Sequence, residues 1–198
     1  MIKFNNLTKE LPYSIFKDKY EEARKKNQIN IEAISISSYS KVLNEVNSRF
    51  VNLKILNNKD FIFFSNYNSP KSQEFQEHNQ VTALIFWNTI NIQIRLKGFI
   101  KKTSREYNKD YFLSRSKQKN ALAISSDQSK LIDSYDSVVN KYHKALLSDN
   151  LNQCPENWGG YSFTPYYFEF WEGHESRLNK RNVYLKNGVD WNHSILQP

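Results

Sequence analysis

Arg49, Lys54, Ser65 and Lys71 are residue types that hold an anion, and they fall within one short stretch. Arg49-Phe50-Val51-Asn52-Leu53-Lys54 and Phe61-Ile62-Phe63-Phe64 read as two strands, with Asn57-Asn58-Lys59-Asp60 polar enough to turn the chain between them. In an extended chain Arg49 and Lys54, five apart, fall on opposite faces. Ser69 reads as a helix N-cap and Pro70 as the first helical residue. That puts Lys71 where free backbone N–H groups and the helix dipole favour negative charge. A hydroxyl, an ammonium and two strand cations could converge on one phosphate. The same spacing also fits an ordinary hairpin carrying solvated charges.

A second polar group lies on the alternating segment Ile92–Ile100. Ile92, Ile94, Leu96 and Ile100 take one face, while Gln93, Arg95 and Lys97 take the other. Arg115 sits in Ser114-Arg115-Ser116-Lys117-Gln118-Lys119, which reads as a basic loop after a helix opened by Thr103-Ser104-Arg105-Glu106. In that helix Tyr107 and Tyr111 are four apart and stack.

The elements that must position these groups follow from periodicity. Residues 11–27 read as an amphipathic helix with Ile15, Phe16, Tyr20 and Ala23 on one stripe. Ile29–Ser37 alternates as a strand, and Val81–Trp87 reads as a buried one. Leu131–Leu147 carries Ile132, Tyr135, Val138, Val139, Tyr142 and Leu146 at helical spacing, a core-packing stripe. Trp158-Gly159-Gly160 reads as a tight turn with a packed indole. Strands follow around Tyr161–Phe163, Tyr167–Trp171 and Arg181–Leu185, and Asn187-Gly188 signals a hairpin before Trp191. Many short strands joined by hairpins and interrupted by helices predict an antiparallel barrel with peripheral helices, mainly β in an α+β arrangement.

With 198 residues, 39% hydrophobic and 24% charged, the chain suits one globular domain. The net charge of +8 favours anionic partners, although the Lys, Asn and Ile richness also fits a compositional bias. A nucleic-acid-binding domain would need a contiguous basic face and ranks last. The single cysteine, Cys154, excludes an intrachain disulfide, lacks a nearby His and reads as inert; the four His show no metal-ligand spacing. No signal-peptide core or membrane-spanning run is visible, so a cytoplasmic location with no membrane partner is expected.

Taken in order, several segments resemble the pyridoxamine/pyridoxine 5'-phosphate oxidase family from about Pro12 to Pro198. They are Arg49–Lys54, Phe63-Phe64-Ser65-Asn66-Tyr67, Ser69-Pro70-Lys71, Tyr111–Arg115 and Asp127-Gln128-Ser129. Trp158-Gly159-Gly160, Phe168–Trp171, Arg177-Leu178-Asn179-Lys180-Arg181 and Ile195–Pro198 complete the series. The resemblance implies a split β-barrel that binds FMN, with residues 1–28 as an N-terminal helical arm, 29–103 as barrel strands, 104–148 as helices and 149–198 as C-terminal strands. It also implies a homodimer with FMN at the subunit interface and oxidation of B6 phosphate vitamers by O2. Hydride would pass from the substrate to the flavin, and O2 would be reduced to H2O2. The implied FMN contacts are Arg49, Lys54, Phe64, Ser65, Lys71, Gln93, Gln128, Ser129, Trp171 and Arg181, so the faces at Gln93 and Lys71 become walls of one site.

The family's substrate-phosphate contacts fall on Lys54, Tyr111, Arg115 and a serine position that here holds Lys119. The family motif Arg-Leu-His-Asp-Arg reads Arg177-Leu178-Asn179-Lys180-Arg181, so Arg177 and Asn179 take the places over the substrate ring. Asn179 can hydrogen-bond but cannot change charge near neutral pH as His can. Pro70 stands where the family usually has Arg, and Lys119-Asn120-Ala121-Leu122-Ala123 also departs from the family pattern. Two other readings remain: a related FMN oxidoreductase with a different substrate, such as the oxidases of phenazine-type biosynthesis, or a flavin- or B6-phosphate-binding protein without turnover.

Overall fold

The structure is a computed structural model that describes residues 1–148 and 150–198. The strands are β1 Lys3–Asn5, β2 Ala33–Ser40, β3 Glu45–Asn57, β4 Asp60–Asn66, β5 Gln80–Trp87, β6 Ile92–Lys102, β7 Trp158–Glu172, β8 Lys180–Asn187 and β9 Asp190–Leu196. The helices are α1 Leu11–Lys25, α2 Pro70–Glu77, α3 Arg105–Leu113, α4 Lys117–Ser125 and α5 Tyr135–Leu146.

Strand pairing runs β3–β2–β5–β6–β7, and β4 pairs with both β7 and β3. These pairings are antiparallel and close a six-stranded ring. The β8–β9 hairpin extends the sheet from the second half of β7, and β1 adds in parallel to β3. A closed ring with a strand pair running off it is the split barrel, and closure leaves few bare strand edges.

Alternation explains the core. Ile34 and Ile36, Val81, Ala83, Ile85 and Trp87, and Ile92, Ile94, Leu96 and Ile100 all point inward and are buried. The α1 helix lays Tyr13, Phe16, Tyr20 and Ala23 onto this core, with Phe16 5.0 Å from Phe61 and Tyr13 4.9 Å from Phe168 between ring centroids. The β5 strand is half-buried rather than fully buried: Leu84 and Phe86 face outward and are exposed.

Several local expectations are corrected. The β2 strand starts at Ala33, because Asn30 takes a positive φ and its carbonyl accepts from Ala33 N at 2.8 Å, closing a turn. Residues Tyr161–Phe163 and Tyr167–Trp171 belong to one long strand, β7, and Trp158-Gly159-Gly160 are its first residues rather than a turn. Its register shifts opposite Lys97 and Gly98, where Pro165 pairs with Gly98, so the proline sits at a bulge. The basic segment after Arg115 is not a loop. Ser116 caps α4 by accepting from Lys119 N at 3.4 Å. The α5 helix starts at Tyr135 behind a Ser134 cap, and none of its residues is buried. Of its apolar stripe, Val138, Val139, Tyr142 and Leu146 are half-buried while Tyr135, and Ile132 before the helix, are exposed; the helix packs on α4, not in the core.

Candidate active site

A cleft of about 1150 Å³ opens between β3, β4, the start of α2 and the α3–α4 region. It brings together Arg49, Lys54, Phe64, Ser65, Lys71, Tyr111, Arg115, Lys119, Gln128 and Ser129. Arg49 and Lys54 were expected on opposite faces, yet both line it. The reason is a bulge: Leu53 pairs with Phe63 and Ile55 with Ile62, so Lys54 is one extra residue that breaks the alternation.

Lys71 forms the floor. It is 6% exposed, and its ammonium donates to Ser65 Oγ at 3.1 Å and Ser69 Oγ at 3.0 Å. Among the described residues, no carboxylate lies at ion-pair distance from it. Burial, reinforced by the nearby Arg49 charge, lowers its pKa to about 8, with Glu74 opposing. Pro70 occupies the first helical position as expected, but Ser69 does not cap α2 with its side chain. Its hydroxyl instead donates to Asn66 O at 2.7 Å and accepts from Lys71.

Two of the strand cations are already paired. Arg49 Nη2 donates to Glu74 Oε2 at 2.7 Å, and Glu74, itself buried, also accepts from Ser38 and from Asn47 at 3.1 Å. Lys54 faces Glu32 at 3.5 Å. Burial would raise the Glu32 carboxyl, but hydrogen bonding and the Lys54 charge outweigh it and leave the pKa below the usual value. On the far wall Gln128 Oε1 accepts from Ser65 Oγ and Asn66 N, both at 3.3 Å, fixing the turn that carries Ser129 against β4.

The α3 wall is aromatic. Phe64 stacks on Tyr111 at 3.7 Å between centroids, with Trp158 5.2 Å and Tyr107 6.3 Å away in nearly parallel planes. Tyr107 and Tyr111, expected to stack on each other, instead each lie parallel to Phe64. Arg115 lies over the Trp158 ring at 4.3 Å and donates to Lys119 O at 2.9 Å. Burial lowers the Arg115 pKa and raises that of Tyr111. Gly159 and Gly160 let β7 approach this wall. A Cβ on Gly159 would run into Tyr67 Oη and Asn108 Nδ2, and one on Gly160 would lie 2.5 Å from Thr103 Oγ1.

Gln93, Trp171, Arg177, Asn179 and Arg181 do not line this cleft. Gln93, Trp171 and Arg181 are successive cross-strand partners on β6, β7 and β8, so they form one row on the outer sheet face, next to Phe86. Arg177 and Asn179 lie in the β7–β8 connection. Arg177 has a positive φ and is exposed, and Asn179 Oδ1 accepts from His174 N at 3.0 Å. Within this chain, the walls at Lys71 and Gln93 are therefore separate.

Sequence reasoning named Ser69 only as a helix cap and missed the other residues that hold these groups: Ser38 and Glu74 around the floor, Glu32 beside Lys54, and Glu169 behind Arg181. Only Glu74, one helical turn after Lys71, carried a local signal.

The C-terminal part of the chain, residues 158–198, matches the model of the "Pyridoxine 5'-phosphate oxidase C-terminal dimerisation region". The chain is 38% identical over 191 residues to "Pyridoxine/pyridoxamine 5'-phosphate oxidase 1" of Hydrogenovibrio crunogenus, covering 94% of this chain and 88% of that protein. It is 36% identical over 197 residues to the "Pyridoxine/pyridoxamine 5'-phosphate oxidase" of Rhodopirellula baltica, covering 97% and 88%. Among solved structures, PhzG from Burkholderia lata, in complex with tetrahydrophenazine-1-carboxylic acid, superposes with a TM-score of 0.87 at 23% identity, covering 94% of this chain and 92% of that one. A pyridoxamine 5'-phosphate oxidase-related, FMN-binding protein from Nostoc punctiforme superposes with a TM-score of 0.79 at 10% identity, covering 96% and 99%. At those identities the two structures establish the shared fold. The curated relatives, similar along nearly the whole chain, establish more: this protein belongs to the pyridoxine/pyridoxamine 5'-phosphate oxidase family and is an oxidoreductase of it.

Proposed function

We propose that this chain is an FMN-dependent oxidase that converts pyridoxine 5'-phosphate and pyridoxamine 5'-phosphate to pyridoxal 5'-phosphate, with O2 as acceptor and H2O2 as product. The observation that carries this reading is Lys71, a buried ammonium held by two hydroxyls and facing a large cleft. A buried cation without a carboxylate partner is costly, and an anionic ligand relieves that cost.

The residues present fit FMN. Lys71, Ser65 and Arg49 would hold its phosphate, and Gln128 and Ser129 offer an amide and a hydroxyl for the ribityl chain. Trp171, Gln93 and Arg181 offer an aromatic face and hydrogen-bond donors for the ring. FMN, when bound, would take up hydride from the substrate and pass the electrons to O2. Lys54, Tyr111, Arg115 and Lys119 would hold the substrate phosphate, which fixes the reacting carbon by anchoring the far end of the molecule. Arg177 would steady the substrate ring. Asn179 can hydrogen-bond there but cannot move a proton as His does.

The working form we infer is a homodimer with FMN at the subunit interface. The cleft group and the Gln93–Trp171–Arg181 row lie apart in one protomer, so a complete site needs the row of one copy to face the cleft of another. The row shares its sheet face with the exposed Phe50, Leu84 and Phe86, an apolar patch that a second copy would cover. The family's dimerisation region spans Trp171 through Arg181.

A related FMN oxidoreductase with a different substrate is the second reading, favoured by Asn179 and by Lys119 at the cleft wall. Anaerobic titration of FMN-loaded protein with each B6 phosphate, following the visible flavin band, separates them. Bleaching that recovers in air with pyridoxal 5'-phosphate formed supports the oxidase. Flavin that stays oxidised with both substrates sinks it and leaves the second reading.

A further inference from the structure

Glu169 lies on the polar face of β7, yet it is only 2% exposed. Its burial comes from what covers it. Arg181 donates to Oε1 through Nε at 2.9 Å and Nη2 at 2.8 Å. Arg95 donates to Oε2 through Nε at 2.9 Å and also through Nη2. Tyr167 Oη donates to the same oxygen at 2.9 Å. One carboxylate therefore holds two guanidiniums from the strands on either side of it, and the cluster keeps a net positive charge.

Burial alone would raise the Glu169 carboxyl, but the hydrogen bonds from Arg181, Arg95 and Tyr167 outweigh it and bring the pKa below the usual value. Glu169 is thus a charged acceptor at neutral pH. A guanidinium has five N–H groups. Arg181 commits two to Glu169 and one, through Nη1, to Gln197 O at 3.1 Å. The guanidinium plane is fixed, and one N–H on each terminal nitrogen remains for a ligand.

We propose that Glu169 is the positioning residue of the ring-binding half of the site. It holds Arg95 and Arg181 on one carboxylate so that Arg181 presents a fixed two-donor fork beside Trp171 and Gln93, suited to the acceptor-bearing edge of a planar heterocycle. This inference rests on the FMN reading above. Removing the carboxylate leaves two adjacent guanidiniums that repel each other and frees the fork to rotate, so the effect reaches the ligand through Arg181.

The test is a double-mutant cycle. FMN is titrated into the flavin-free 198-residue chain, followed by flavin fluorescence, for wild type, E169Q, R181Q and E169Q/R181Q. E169Q is expected to weaken FMN by about tenfold or more, whereas the double variant binds within about twofold of R181Q alone. A purely structural role would give losses that multiply. Far-UV melting checks that each variant folds. If E169Q does not fold, R95K runs the same cycle, since it keeps the charge but not the guanidinium fork. E169Q binding FMN like wild type, or losses that multiply, overturns the inference while leaving the FMN reading intact. Wild type that fails to bind FMN overturns both.

Discussion

Replacing Lys71 by Met should move stability and ligand affinity in opposite directions. The ammonium is 6% exposed and has a pKa of about 8 against an ordinary 10.5. At 1.36 kcal/mol per pH unit, holding it charged costs the ligand-free fold ~3 kcal/mol. Because the folded pKa is depressed, that cost is fully present below pH 8 and is relieved as pH rises from 8 to 10.5. K71M removes it, and losing the bonds to Ser65 and Ser69 offsets part of the gain, so the flavin-free protein should melt about 2–8 °C higher. FMN affinity should fall by about 10- to 100-fold, the size of a lost charge-assisted hydrogen bond. In wild type a bound phosphate restores the Lys71 proton, so affinity should hold up to pH 8 and then weaken by up to about tenfold per pH unit. The flavin phosphate is already dianionic there, so its own titration does not intrude. The assays are thermal melting of the flavin-free protein and fluorescence titration of FMN from pH 7 to about pH 10. A K71M protein that melts lower, or a wild-type affinity that stays flat across that range, would refute the reasoning.

G159A should lower stability by about 2–3 kcal/mol in urea unfolding, because the new Cβ displaces Tyr67 and Asn108 and breaks their 3.0 Å hydrogen bond. L84D and F86D place charges on the exposed apolar face; sedimentation should show the proposed dimer giving way to monomer, with FMN affinity reduced in parallel. N179H should raise kcat with pyridoxine 5'-phosphate by about tenfold or more while leaving the FMN Kd unchanged, read by steady-state kinetics and fluorescence titration. An unchanged kcat would favour the second substrate reading.

Local patterns made much of the scaffold readable. The i, i+2 alternation of Ile92–Ile100 named its buried face, and the β8–β9 turn at Asn187-Gly188, with Gly188 at φ +59°, followed from the dipeptide. Ser69-Pro70 marked the start of α2. Other elements were hidden because their signals are not local. The bulge at Lys54 depends on how β3 meets β4. The α4 helix is opened by a serine cap within a charged run, and the α5 helix, although its stripe is periodic, packs chiefly on α4. The continuity of β7 through Pro165 depends on a register shift against β6, and the glycines before it are required by Tyr67, Asn108 and Thr103, residues distant in sequence.

The sequence by itself determined the inventory of the site: which residues carry charge, hydroxyl, amide and aromatic groups, and, through period two and period 3.6, which of them leave the core. Only the tertiary structure decided their partners. It seated Lys71 on two hydroxyls with no carboxylate among the described residues at ion-pair distance, while giving Arg49 to Glu74, Lys54 to Glu32 and Arg181 to Glu169. It also separated the Gln93–Trp171–Arg181 row from the cleft. The physical reason is that a charged group's state depends on what lies within a few ångströms of it. Barrel closure sets those neighbours by joining strands more than 90 residues apart, such as β4 and β7.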